Sequence, residues 1–116
     1  MTLSELYEAV GGDFENVLGR LGDIEAAEHF LFIFQSDPSY SLLMRSLQEN
    51  DLQRAFQAAH TLKGVSLSLG LKRLGDCSST LCEKLRQGIL PSEILIRQLK
   101  TEYCCVIAAI NDLTNN

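Results

Sequence analysis

Leu52-Gln53-Arg54-Ala55-Phe56-Gln57-Ala58-Ala59-His60-Thr61-Leu62-Lys63-Gly64-Val65-Ser66-Leu67-Ser68-Leu69-Gly70 is the stretch whose reading decides the fold. Leu52, Ala55, Ala59, Leu62, Ser66 and Leu69 recur at steps of three and four, the core stripe of a bundle helix. The stripe is mostly small or aliphatic, so a neighbouring helix can approach closely. Asn50-Asp51 supplies a turn and an N-cap ahead of it, and Gly70 supplies the left-handed stop behind it. His60 lies beside the stripe, not on it. Its neighbours at helical spacing are Phe56, Gln57, Lys63 and Gly64. A glycine inside a helix costs roughly 1 kcal/mol relative to alanine. One reason for Gly64 fits its place: without a side chain there, the imidazole edge is open. Lys63 adds a cation beside any anion formed on His60.

The same period continues in both directions. Leu3, Leu6, Tyr7 and Val10 form one short apolar face, stopped by Gly11-Gly12. Phe14, Val17, Leu18 and Leu21 form a second after Asp13. Asp23 caps a helix to about Gln35, and Ser36-Asp37-Pro38 stops it and restarts another from Ser39 to about Glu49. Beyond Gly70, helices are predicted from Lys72 to about Gln87, and from a Ser92 cap to about Leu113 with Tyr103 or Cys104 filling its stripe. Asn115-Asn116 reads as a frayed end. No stretch alternates with period two, and no hairpin turn occurs. The expectation is one all-α domain over residues 1–116, whose short loops make consecutive helices antiparallel neighbours.

Composition narrows the function. A net charge of -5 argues against a nucleic-acid binder, which needs a basic face. The start, Met1 to Val10, carries two glutamates and no basic residue, unlike a secretory signal, and the longest apolar run, Phe30 to Phe34, is far too short to span a bilayer. A cytoplasmic protein without membrane contact is expected. Cys77, Cys82, Cys104 and Cys105 all fall in apolar helical patterns and read as reduced core cysteines, not as a disulfide or metal set. His29 has no second histidine or cysteine at ligand spacing and reads as a surface or partly buried side chain. No phosphate loop and no Ser/His/Asp arrangement is present, so no autonomous kinase or ATPase activity is expected.

A neutral imidazole is a nucleophile near pH 7, and a phosphoryl group on it is an anion. An exposed ring, a nearby cation and low steric cover are what such a site needs. His60, Lys63 and Gly64 meet those needs together. The segment Ala59-His60-Thr61-Leu62-Lys63-Gly64, followed by Ser66, Leu69 and Gly70, resembles the signature of histidine phosphotransfer (HPt) domains. Leu74, Cys77, Leu81, Glu83 and Leu85-Arg86 look like the helix that follows in that family. Gly12-Asp13, Phe30 to Asp37 and Asn50-Asp51 are similar to its stand-alone bacterial members. The resemblance covers nearly the whole chain. Ser68 departs from it, since many stand-alone members have asparagine there.

The resemblance implies an antiparallel four-helix bundle core with additional short N-terminal helices. It implies a phosphocarrier, with His60 taking a phosphoryl group from a receiver aspartate or a kinase and passing it to a receiver aspartate. The alternative is a module that binds and sequesters a receiver without transfer. By carry-over, His60 is the phosphoacceptor, Lys63 an electrostatic support, Gly64 the residue that makes room, and Gly70 the helix end. Implied partners are response-regulator receiver domains and hybrid or chemotaxis-type histidine kinases. No cofactor is implied for this chain, because the Mg²⁺ belongs to the receiver. Phe56, Gln57 and Leu67 are the expected docking residues, Leu67 foremost. Cations on the next helix, Lys72, Arg73, Lys84 and Arg86, are either a solvated face or guides for an acidic receiver pocket. A monomer is expected, on the ground that no apolar face remains once the helices pack.

Overall fold

The computed structural model describes residues 1–114, and these residues hold seven α-helices and no strand. They are α1 (Leu3–Ala9), α2 (Phe14–Leu21), α3 (Ile24–Phe34), α4 (Ser39–Gln48), α5 (Leu52–Ser68), α6 (Lys72–Arg86) and α7 (Glu93–Thr114). The last five end within one residue of where the sequence predicts. The expected frayed end at Asn115-Asn116 lies outside the described residues.

Local chemistry explains the boundaries. Asp13, Asp23 and Asp51 each accept a hydrogen bond from the backbone N–H three residues on, at 3.1, 2.8 and 3.1 Å. Ser92 does the same for Leu95 at 3.2 Å. Each such cap satisfies an N–H that the helix itself leaves unpaired. Thr2 and Glu5 add a reciprocal capping box at α1. At the far end of α5 the chain turns on Gly70, whose φ of +72° is a conformation that a side chain disfavours.

α3 and α4 are joined without reversal. Gln35, Ser36 and Asp37 donate in turn to the carbonyls three residues back, at 3.2, 3.0 and 3.0 Å, and Pro38 opens α4. Tyr103 of α7 spans this joint, with its ring 6.0 Å from Phe34 and 3.8 Å from Tyr40. Gln35 also donates to Asn111 of α7 at 2.7 Å. The pair α3–α4 therefore makes one side of a bundle, and α5, α6 and α7 make the other three. Ala55, Ala58, Ala59, Leu62 and Ser66 of α5 are buried at its centre. Their small size lets α4 and α6 approach α5 closely.

The N-terminal helices join the same core. Leu3, Leu6, Tyr7 and Val10 are buried, with α1 against α7. Their segment also ties down the α5–α6 corner. Tyr7 Oη donates to the Leu69 carbonyl at 2.6 Å, the Asp13 N–H to that of Gly70 at 3.0 Å, and Arg20 Nη2 to that of Leu67 at 2.9 Å.

The cysteines depart from expectation. All four are free, but only Cys82 is buried. Cys77 and Cys105 are half-buried and Cys104 is exposed. Tyr103 takes the inward position on α7, and the next residue, about 100° further round the helix, turns to solvent. No helix among the described residues is long and apolar enough to cross a membrane.

Candidate functional site

α5 presents His60 to solvent midway along its length. Helical side chains lean toward the N-terminus, so the imidazole lies over the preceding turn. There it stacks on Phe56, with ring centroids 6.1 Å apart and planes 26° from parallel. Among the described residues neither ring nitrogen has a hydrogen-bond partner. The neighbouring Thr61 hydroxyl is committed to the Gln57 carbonyl at 3.1 Å.

Lys63 and Gly64 occupy the following turn. Lys63 is half-buried and forms no ion pair among the described residues. The same N-terminal lean sends its stem back toward His60. A Cβ built on Gly64 would meet nothing within 4 Å. Gly64 is thus not needed for internal packing. Its missing side chain leaves open the floor of a groove of about 540 Å³ between α3 and α5. Phe30, Ile33, His60, Gly64 and Ser68 line that groove. A second hollow of about 470 Å³, between α4 and α5, continues from it past Asp37 and Thr61 and includes Gln57.

The structure brings His60, Lys63 and Gly64 together and puts Gly70 at the helix end. The expected docking residues divide. Gln57 is exposed beside His60. Phe56 is half-buried and packs against the core as well as the imidazole. Leu67 is 37% exposed, but its side chain folds toward α6, where a Cβ on Gly75 would collide with it. Seven residues on from His60, it shares that exposed face of α5, on the side toward α6.

Two groove residues were not foreseen. Phe30 and Ile33 of α3 are 42% and 52% exposed. The sequence did carry a signal: Phe30 to Phe34 is five apolar residues in succession, and a helix cannot turn all of them to one core. Phe32 is exposed on the same helix. An apolar face therefore remains after packing, and the reason given for a monomer fails.

The cations of α6 are largely engaged. Lys72 pairs with Asp76 at 3.0 Å, and Arg86 pairs with Glu83. Arg73 binds Glu102 at 2.7 Å and the Ala9 carbonyl at 3.3 Å, fastening α6 to α7 and α1. Arg73 thus ties helices together and is not free to guide a partner.

Among the described residues, an exposed histidine with open nitrogens, an unpaired lysine one turn on and an apolar groove alongside suit a nucleophile that works inside a protein–protein contact. The family model described as the Hpt domain matches residues 23–109, about three-quarters of the chain. No curated protein and no solved structure gives a match. The matched segment runs from the cap of α3 into α7 and contains the whole bundle site. The chain belongs to the Hpt domain family, the histidine phosphotransfer domains of two-component phosphorelays.

Proposed function

We propose that residues 1–116 act as one phosphocarrier domain in which His60 accepts a phosphoryl group from a receiver aspartate or a histidine kinase and passes it to a receiver aspartate. The observation that carries this reading is an exposed imidazole with both nitrogens unengaged among the described residues, beside the open space over Gly64. In the forward step the imidazole lone pair attacks phosphorus. The N–P bond forms as the aspartyl O–P bond breaks, and the carboxylate leaves. In the return step a receiver carboxylate attacks, and the N–P electron pair goes back to the ring. The Mg²⁺ for both steps is the receiver's. Lys63 supports the phosphoryl charge, and Phe30, Ile33 and Gln57 give the receiver a surface to bury. The domain has no kinase activity of its own and works in the cytoplasm.

The test mixes the purified chain with a phosphorylated receiver domain and Mg²⁺ and follows intact mass. An acid-labile, base-stable phosphate is expected on wild type and absent from His60→Gln. Lys63→Ala should slow transfer by up to about fivefold without abolishing it, since exposed charge pairs deliver about 0–1 kcal/mol. Tight receiver binding with no transfer across a receiver panel would replace the carrier by a sequestering module.

A further inference from the structure

We propose that Phe56 is a positioning residue for His60, acting as a rigid shelf that sets the direction of the imidazole. The inference rests on the reading of His60 as the phosphoryl acceptor. Nothing in the histidine side chain itself fixes its ring, because the torsion that turns an imidazole is broad and roughly two-fold. Elsewhere a hydrogen bond to the second nitrogen commonly does this. Here no such bond exists among the described residues, and the hydroxyl of the next residue, Thr61, donates to the Gln57 carbonyl.

What the ring does have is Phe56. The two rings stand four residues apart on α5, at a centroid separation of 6.1 Å and an angle of 26°, an offset-stacked pair. Phe56 is itself held, because it packs against the buried core. The N-terminal lean of helical side chains places His60 over this turn, so the stack is a product of the spacing. With one face of the imidazole against Phe56, its edge stays directed outward and the region over Gly64 stays clear. A nucleophile must be aimed at phosphorus in line with the leaving oxygen, and small misplacements slow such a step.

The test uses the full chain as wild type, Phe56→Leu and Phe56→Tyr. Contacts between the two rings and the ring-current shift of the His60 ring protons are read by NMR. Single-turnover transfer from a phosphorylated receiver is measured over a range of receiver concentrations. Phe56→Leu should lose the ring-current shift, and its maximal rate should fall about three- to tenfold, the range that an aromatic pair of this kind supports. Its half-saturating receiver concentration should be unchanged, and Phe56→Tyr should restore both signals. A loss confined to half-saturation would make Phe56 a docking residue and overturn the proposal, as would wild type without contacts between the rings, which needs no variant to fold. Undiminished transfer in Phe56→Leu overturns the positioning role alone. A wild-type chain that takes no phosphate on His60 overturns the acceptor reading and this inference with it.

Discussion

Two glycines on adjacent helices carry opposite meanings. A Cβ on Gly64 would project into open groove, whereas one on Gly75 would strike the side chain of Leu67. Gly64→Ala should therefore stabilise the fold by about 0.5–1 kcal/mol, the helix-propensity gain, while slowing phosphotransfer by narrowing the approach to His60. Gly75→Ala should destabilise by about 1–3 kcal/mol through overpacking. Urea unfolding of the two variants checks both signs. A Gly64→Ala protein less stable than wild type would mean that the space beside His60 is structural. The sequence made Gly64 legible, because a glycine in mid-helix next to a histidine needs a reason. It was silent on Gly75, because the obstacle is a side chain on another helix. Leu67 shows the same limit: its spacing puts it two turns from His60 on an exposed face, where it stays 37% exposed, but only packing shows that its side chain also leans on α6.

At the scale of elements, helix ends were legible and their partners were not. Caps such as Asp51 and stops such as Gly70 act within a few residues, so they can be read in order along the chain. The last carbonyls of α5 are orphans of the helix, and those of Val65, Ser66 and Leu67 accept from Leu69, Leu71 and Gly70 in the turn itself. The carbonyls of Leu69 and Gly70, just past the helix, take donors from Tyr7 and Asp13, and Arg20 adds a second donor to Leu67, all from positions that precede the matched family segment. Tyr7 is buried and reaches Leu69 across 62 residues. Tyr7→Phe keeps the stack on Phe14, whose ring lies 5.3 Å away, and removes only the hydroxyl. It leaves the Leu69 carbonyl without that donor, so a loss of about 1–3 kcal/mol is expected. Amide exchange should quicken in the last turn of α5 and in the turn at Gly70. Unchanged protection there would show that the N-terminal segment merely rests on the corner.

Over the whole molecule, periodicity told that the chain is a helical bundle, because each helix carries its own stripe. It did not tell which surplus apolar residues stay outside. Phe30 and Ile33 are left exposed beside the α3–α4 joint, and that follows from how two helices meet, not from either alone. The joint and the N-terminal corner share a chemistry: both are closed by tyrosines. Burial pushes the Tyr7 phenol up to about 12 from its ordinary 10, and raises those of Tyr40 and Tyr103. In the unfolded chain these phenols ionise near pH 10, while in the fold they hold their protons longer. The unfolded state therefore gains more from alkaline pH. Stability should be intact below about pH 10 and decline as pH rises toward 12. The Tyr7 share of that decline is about 2–3 kcal/mol, from roughly two units at 1.36 kcal/mol each. Tyr7→Phe has no phenol to ionise at that position. Its stability should lie below wild type at pH 8, and the two curves should converge by pH 12. Urea midpoints of both proteins across this range decide it. Parallel curves would mean that the Tyr7 hydroxyl titrates in the fold as it does in the open chain, and that its place under the α5 corner is not sealed from water.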